Sequence, residues 1–205
     1  MNKGLLVVVS GPAGSGKSTI DSILVSTGDF VYSVSATTRA ARPGEVDGVN
    51  YHFITREAFE KKLADEEFLE HTEYCGNFYG TLKKEAIAVL EGGKNLILEI
   101  EVEGAKNVKR IYPDAVLILL LPPSYEIQEQ RLRGRATEQE NKIIERLEKT
   151  KKELDEIDVY DYIVYNCDGG VDQAVSDILS IVKAEKLARH RNPNAKEKYF
   201  ENTVI

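Results

Sequence analysis

The sequence has few of the residues that build metal centres and disulfide frameworks. Its 205 residues include two cysteines, Cys75 and Cys167, which lie far apart and lack the paired spacing of zinc and redox motifs. The three histidines, His52, His71 and His190, are also scattered along the chain. We therefore expect two reduced thiols, as in a cytoplasmic protein, and no metal cluster built on histidine.

Long apolar runs and an excess of basic residues are absent as well. No stretch approaches the roughly 20 apolar residues that cross a bilayer, and the first residues lack a secretory cleavage pattern. The net charge is −7, whereas domains that bind nucleic acid are usually basic. We therefore expect a cytoplasmic protein with no membrane or nucleic-acid partner. Arginines bunch at 39–42 and 131–135, where they either solvate a helix face or bind a small anion.

Strands and helices alternate along most of the chain. Wholly apolar segments at 4–10 and 115–121 are typical of strands covered on both faces. Such alternation predicts an α/β fold in which a parallel sheet has helices on both faces. The predicted strands are 4–10, 30–36, 95–101, 115–121 and 160–166, and the predicted helices include 17–26, 56–66, 83–91, 137–157 and a closing helix from 171.

Residues 37–82 break this alternation. They contain a polar loop, a short amphipathic helix and two extended pieces around a turn at Gly76 and Asn77. We interpret them as a small, mostly β insert. Later, the segment TEQE at 137–140 has the spacing of a capping box, which would open a long charged helix.

The segment GPAGSGKST, at residues 11–19, lies between the first predicted strand and the first predicted helix. It satisfies the pattern G-x-x-x-x-G-K-[ST], in which glycines let backbone N–H groups turn towards phosphate oxygens at a helix N-terminus. Lys17 is expected to reach the β- and γ-phosphates and Ser18 to ligate Mg²⁺. The predicted site for a nucleoside triphosphate comprises Gly11, Pro12, Ala13, Gly14, Ser15, Gly16, Lys17, Ser18 and Thr19.

Four further motifs follow this P-loop. They are YSVSATTRAARPGEVDGVNYHF, EFLEHTEYCGNFYGT, LEIEVEGA and RLRGRATE. Together with the P-loop they resemble the guanylate kinase family over about residues 4–185. The resemblance implies transfer of the γ-phosphoryl group of ATP, with Mg²⁺, to GMP. It also implies a P-loop core (1–34, 83–126 and 156–205), a GMP-binding insert (35–82) and a helical lid (127–155).

The resemblance assigns a role to each residue at a matching position. The GMP phosphate would be bound by Arg39, Arg42, Tyr51 and Tyr79. The guanine would be read by Ser35, Glu70, Thr81 and Glu101, and Glu45 also falls at the GMP site. The catalytic set would be Lys17 and the lid arginines that face the triphosphate, Arg131, Arg135 and Arg146. Asn166 lies where the family contacts adenine.

The chemistry of guanine supports this division. Guanine presents N1–H and an amino group as donors, so one carboxylate such as Glu70 can accept both protons. A hydroxyl group from Ser35 or Thr81 can donate to O6. Adenine has an unprotonated N1, which a carboxylate would repel, and such unpaired groups reject the wrong substrate by on the order of 10⁴-fold. Taken singly, each residue could instead be an ordinary solvated or half-buried side chain.

Three glutamates lie at the end of the segment LEIEVEG. We expect Glu99, Glu101 and Glu103 to share one face of a strand at period two. The carboxyl end of a parallel strand is where α/β proteins bind ligands. Glu99 is therefore expected in the Mg²⁺ and water shell and Glu101 at the guanine amino group, although a structural salt-bridge role stays open. The family often has Asp at 101 and Gln at 103, and the sequence suggests no partner for Glu103.

Two other functions fit part of the sequence. One is a non-catalytic guanylate-kinase-like module that binds a peptide, and the other is a P-loop kinase for another small phosphorylated acceptor. Such modules typically lack the phosphate loop, which here is complete.

The sequence leaves open whether the protein is a monomer or a homodimer, and how strictly it distinguishes GMP from dGMP. The tail from about residue 190 is expected to fray.

Overall fold

The computed structural model of the chain describes residues 3–74, 76–134 and 140–201. The strands are β1 (Leu6–Ser10), β2 (Phe30–Tyr32), β3 (Ala36–Thr37), β4 (His52–Phe53), β5 (Phe68–Tyr74), β6 (Asn77–Leu82), β7 (Asn95–Glu99), β8 (Val116–Leu121) and β9 (Tyr162–Tyr165). The helices are α1 (Lys17–Ser26), α2 (Arg56–Ala64), α3 (Lys83–Glu91), α4 (Val102–Ile111), α5 (Tyr125–Gly134), α6 (Glu140–Leu154), α7 (Val171–Leu187) and α8 (Ala195–Phe200).

A five-stranded parallel sheet forms the centre of the molecule, in the order β2-β7-β1-β8-β9. Successive side chains of a strand point to opposite faces, and both faces of β1 are buried. Val7 and Val9 pack with residues of α1 and α7. Leu6 and Val8 pack with residues of α3 and α4 on the other face. The predicted α/β fold with helices on both faces of a parallel sheet is confirmed.

A second sheet of four strands lies within the residues assigned to the insert, in the order β4-β3-β6-β5. Its small core contains Phe59 of α2, whose ring stacks on Phe68 with centroids 4.3 Å apart. The predicted single strand at 30–36 is wrong. It is split because β2 ends at Tyr32 in the large sheet and β3 begins at Ala36 in the small one. The bounds proposed for core, insert and lid stay a prediction.

Helices α5 and α6 supply the described part of the predicted lid. Leu132, Ile143 and Leu147 form a small apolar cluster, and Ala13 of the P-loop packs against it. Ser124 accepts a hydrogen bond from the backbone N–H of Ile127 at 3.3 Å, as a helix cap does. Helix α6 ends at Leu154, three residues before the predicted end. Thr137, which opens the predicted capping box, and Cys75 lie outside the described residues.

The end of the described chain contains the short helix α8, which has no buried residue, and fraying of this tail stays a prediction. Arg191 holds it to the core by donating to Glu185 at 2.9 Å and to the carbonyl of Asp114 at 2.8 Å. Farther along, Tyr199 and Phe200 are 79% and 71% exposed and contact each other edge to face.

Among the described residues, none of the helices has both the length and the apolar character that crossing a membrane requires.

Candidate active site

The P-loop connects β1 to α1, and its glycines are required by its geometry. Gly16 precedes α1 with φ of 96°, a left-handed conformation that favours glycine. A Cβ atom there would lie 2.3 Å from the Nδ2 of Asn166, and one on Gly11 would lie 2.1 Å from the carbonyl oxygen of Leu120. The tight turn brings backbone N–H groups to the start of α1, where the first-turn amides have no intrahelical partner and attract anions.

Lys17 folds back over this loop. Its ammonium group donates to the carbonyl oxygens of Gly11 at 2.7 Å and Pro12 at 3.2 Å. Burial lowers the pKa of Lys17, and the charge of Glu99 is the largest opposing effect. An ammonium has three N–H donors. Lys17 can therefore donate its third proton to a phosphate oxygen, or donate to a phosphate oxygen in place of one of the two carbonyl groups.

Ser18, Glu99 and Tyr32 form a hydrogen-bonded group beside the loop. The hydroxyl of Ser18 lies 3.4 Å from both carboxylate oxygens of Glu99. The hydroxyl of Tyr32 donates to Glu99 at 3.2 Å. Burial, followed by the charge of Glu99, raises the pKa of Tyr32, which therefore stays a neutral donor. The structure thus brings together the two residues that the sequence suggested for the Mg²⁺ shell.

Asp21 lies near this group without hydrogen bonding to it, and it was not selected from the sequence. It lies one turn after Ser18 on α1, is 1% exposed, and neither of its carboxylate oxygens has a partner among the described residues. Burial, and then the charge of Glu99, raise the pKa of Asp21 to about 8. A signal was available, because Asp21 follows the buried Ile20 and interrupts an apolar helix face three residues from a predicted metal ligand.

A cavity of about 340 Å³ opens at this point between the core and α6. Its lining comprises Gly11, Ala13, Gly14, Gly16, Lys17, Ser18, Thr19, Glu99, Ile100, Glu101, Arg146, Lys149 and Glu153. We call it the P-loop cavity. Of the predicted lid arginines, Arg146 lines it, whereas Arg135 lies outside the described residues. Lys149 and Glu153, both on α6, were not selected from the sequence.

The expectation that three glutamates share one strand face is wrong. Strand β7 ends at Glu99, and the chain then enters α4, so that Glu101 precedes the helix and Glu103 lies in its first turn. Glu101 accepts a hydrogen bond from Lys149 of α6 at 2.7 Å. Glu103 pairs with Lys106 at 3.1 Å, which supplies the partner that the sequence did not suggest.

A second cavity, of about 370 Å³, lies on the other side of the P-loop. Gly14 and Gly16 line both this cavity and the P-loop cavity. Asn166 donates to the carbonyl of Ser15 at 2.8 Å, while its buried Oδ1 has no partner among the described residues. Arg131 donates to the carbonyl of Asn166 at 2.8 Å and to Asp168 at 2.7 Å. In this conformation Arg131 lies on the Asn166 side of the loop rather than in the P-loop cavity.

The predicted phosphate-binding residues of the insert form their own cluster. Arg39 donates two hydrogen bonds to Glu45, at 2.9 and 3.0 Å, and the backbone N–H of Arg42 donates to the same carboxylate at 2.7 Å. The guanidinium of Arg39 lies 5.5 Å from the ring centroid of Tyr51, which contacts Tyr79 edge to face. Glu45 therefore holds Arg39 in place, and the side chain of Arg42 is exposed.

Glu70 is the most buried acidic residue of the insert, at 3% exposed. Thr81 donates to its Oε1 at 2.8 Å, and Oε2 is buried without a partner among the described residues. Burial raises the pKa of Glu70 to about 7, and the hydrogen bond from Thr81 opposes that shift. Ser35 is half-buried at the start of the insert, next to β3.

The oxygen groups beside the P-loop fit a bound Mg²⁺. Mg²⁺ prefers oxygen ligands in octahedral geometry and keeps several waters. Ser18 and Glu99 supply such oxygens, and the unpartnered carboxylate of Asp21 is a buried acceptor next to them. Within the described residues, no group of three or more histidine, cysteine or acidic side chains could enclose a metal ion. The remaining ligands would therefore come from water and a nucleotide.

Comparisons with known proteins agree with this geometry. A family model described as guanylate kinase matches residues 3–185. The chain is 47% identical over 192 residues to the guanylate kinase of Carboxydothermus hydrogenoformans, with 93% of each chain covered. It is 46% identical over 186 residues to that of Clostridium perfringens, covering 90% of this chain and 85% of the relative. The crystal structure of guanylate kinase from Anaplasma phagocytophilum is similar with a TM-score of 0.74 at 31% identity, covering 93% of this chain and 90% of that chain. The chain belongs to the guanylate kinase family.

Proposed function

We propose that this chain transfers the γ-phosphoryl group of ATP to GMP, giving ADP and GDP. The observation that carries the proposal is the pairing of a complete P-loop with a buried, half-satisfied carboxylate in the insert. Glu70 has one oxygen occupied by Thr81 and one buried oxygen without a partner. An unpaired buried acceptor costs about 1–3 kcal/mol, which a ligand that donates from N1–H and an amino group would relieve.

The triphosphate would lie in the P-loop cavity. Lys17 and the first-turn amides of α1 would bind its β- and γ-phosphate oxygens, and Arg146 faces the same space. Ser18 and Glu99 would hold Mg²⁺, directly or through water. When bound, Mg²⁺ neutralises charge on the phosphate oxygens. The adenine would lie on the other side of the loop, in the cavity that Asn166 and Arg131 line.

The acceptor would bind to the insert. Arg39, fixed by Glu45 and flanked by Tyr51, offers charged donors to a phosphate dianion, and tyrosine hydroxyls add neutral donors. Because the attacking oxygen of GMP is already anionic, no strong general base is needed. Catalysis then depends on alignment of the two nucleotides and on neutralisation of the transferring charge.

Neither alternative function is favoured by a specific observation. A peptide-binding module has no need of the tight glycine loop, the half-buried lysine or the oxygen groups at Ser18 and Glu99. A P-loop kinase for AMP would leave Glu70 without a donor, because adenine presents no N1 proton to a carboxylate, and uracil or thymine would offer it one donor, N3–H, where guanine offers two. Both alternatives remain outcomes of the test.

The test is an acceptor screen with purified protein, ATP and Mg²⁺. GMP, AMP, UMP, dTMP and ribose phosphates are compared by ADP release, and dGMP is included to measure discrimination at the sugar. We expect turnover with GMP to exceed turnover with AMP by on the order of 10⁴-fold. Lys17→Ala serves as the control for contaminating kinases and should be inactive with every acceptor. Equal turnover with AMP and GMP, or none with any acceptor, would refute the proposal.

A further inference from the structure

The P-loop helix carries a buried acidic residue that the proposed mechanism does not use. We propose that Asp21 is a positioning residue for Mg²⁺, whose carboxylate accepts hydrogen bonds from water bound to the metal beside Ser18 and Glu99. The inference rests on the proposed function, because the metal is the one that accompanies the nucleotide.

The packing of Asp21 gives it no structural purpose. The residue is 1% exposed, and both of its oxygens lack a hydrogen-bond partner among the described residues. A buried carboxylate is costly unless it is paired or binds a metal. Nearby donors are directed elsewhere, since Lys17 donates to loop carbonyl groups, and Ser18 and Tyr32 donate to Glu99.

Asp21 lies close to the metal group, behind the residues that line the P-loop cavity. Residues three apart on a helix are neighbours on one face, which places Asp21 beside Ser18. The charges that act on Asp21 are those of Glu99 and Lys17, and both of these residues line the P-loop cavity. The charge of Glu99 disfavours ionisation of Asp21, and a cation bound beside them would reverse that effect.

The chemistry of Mg²⁺ explains why a hydrogen-bond acceptor with no donor partner among the described residues would lie here. The ion retains several waters when it binds to proteins, and each bound water presents O–H groups that need acceptors. Groups of this kind orient the ligands of a metal, and their loss typically lowers metal affinity by about 10–100-fold. Ser18 and Glu99 already hydrogen bond to each other, which leaves Asp21 as the unpartnered acceptor of the three.

The experiment measures metal binding without turnover. Mn²⁺ replaces Mg²⁺ as an electron paramagnetic resonance probe, and its affinity is titrated with the full chain saturated with ADP. We expect Asp21→Asn and Asp21→Leu to weaken Mn²⁺ binding by about 10–100-fold. Asp29→Asn is the matched control, because it removes the same charge from an exposed position after α1 and should leave Mn²⁺ affinity unchanged.

A second measurement separates this role from a structural one. In EDTA, both Asp21 variants should melt at the same temperature as the natural chain or higher, because an unpaired buried carboxylate is removed. ADP affinity in EDTA at pH 7 should be unchanged, since a pKa of about 8 keeps the metal-free Asp21 neutral there. Unchanged Mn²⁺ affinity, or weaker Mn²⁺ affinity together with a lower melting temperature in EDTA, would overturn the proposal. GMP takes no part in these titrations, so failure of the acceptor screen would be distinguishable from failure here.

Discussion

At the scale of single residues, burial decides the protonation of the group proposed to read guanine. The pKa of Glu70 is raised to about 7 from an ordinary value of 4.5. To accept two protons from guanine, Glu70 must be ionised. GMP binding below pH 7 therefore requires that the protein release a proton, whereas binding above pH 7 does not.

We therefore expect GMP affinity to weaken as pH falls below about 7, approaching tenfold per pH unit from this group. Calorimetric titration in two buffers of different ionisation enthalpy would count the protons released. Glu70→Gln is the matched variant: it should bind GMP more weakly at pH 8 and lose the component of proton release that belongs to Glu70. Titration of the GMP phosphate is common to both proteins and cancels in the comparison. Identical proton release in the two proteins would remove Glu70 from the guanine site.

The same residue makes folding depend on pH in a defined direction. Between pH 4.5 and about 7 the folded chain keeps a proton on Glu70 that the unfolded chain has lost. The contribution of Glu70 to the free energy of unfolding is therefore fully present below pH 4.5, and it is lost as pH rises through about 7. Relative to Glu70→Gln, the natural chain should lose on the order of 2–3 kcal/mol between pH 5 and 8, measured by urea unfolding. A difference that stays constant over this range, or grows in the opposite direction, would contradict the assignment.

At the scale of elements, a buried polar contact fixes the P-loop to both lid helices. The amide nitrogen of Gln128, on α5, donates to the carbonyl of Ala13 at 3.0 Å and to the hydroxyl of Thr150, on α6, at 2.7 Å. Thr150 in turn donates to the backbone carbonyl of Arg146 at 3.0 Å. Gln128 and Thr150 are both nearly inaccessible to solvent. Loop and lid are thus positioned as one unit.

Gln128→Ala should break this unit, because it leaves two buried acceptors without their donor. We expect the free energy of unfolding to fall by about 1–3 kcal/mol and the KM for ATP to rise more than the KM for GMP. Urea unfolding and steady-state kinetics provide the two measurements. Gln173→Ala is the control, since Gln173 is an exposed glutamine whose amide donates to Asp177 on its own helix. A Gln128 variant as stable and active as the control would show that this contact positions nothing.

The elements also show where sequence reasoning succeeds. Helix α1 was predicted at its observed bounds, 17–26, because a glycine loop starts it and Gly28 follows it closely. The apolar strands of the central sheet were found for a similar local reason, since burial on both faces leaves an uninterrupted apolar run. The P-loop could be recognised because the spacing of its glycines, lysine and hydroxyl groups is visible in the sequence, and its role in binding phosphate stays a prediction.

What sequence reasoning missed depended on tertiary structure. The break between β2 and β3 arises because the chain changes sheets, which a run of strand-forming residues does not record. Glu101 was assigned to a strand because glutamates alternate with apolar residues from Glu99 onwards. This alternation continues past Val102, where α4 begins. The pairing of Glu101 with Lys149 joins residues 48 positions apart, so no local pattern encodes it. Asp21 could have been found, since its spacing from Ser18 is visible in the sequence.

At the scale of the whole molecule, the two proposed nucleotide sites are built on different sheets. The P-loop cavity is lined by the central sheet and α6, and apart from Glu101 none of the residues proposed for GMP lines it. Reacting atoms must approach to about 3–3.5 Å for transfer. We therefore expect the predicted insert to move towards the P-loop and the lid helices when both nucleotides are bound, and this motion also excludes water.

This motion predicts that the two nucleotides bind cooperatively. If each bound to a rigid site, ADP and GMP at 100 times their dissociation constants would each add about 2.7 kcal/mol to the free energy of unfolding, and the two effects would add. Because closure brought about by one nucleotide prepares the site for the other, we expect the pair to exceed that sum by about 1–3 kcal/mol. Urea unfolding with each ligand and with both measures the excess, and small-angle scattering should show a smaller radius of gyration for the doubly bound protein. ADP with AMP is the control pair and should show neither effect. Strict additivity for ADP and GMP, with an unchanged radius, would mean that the insert and lid are rigid and that alignment of the nucleotides arises in some other way.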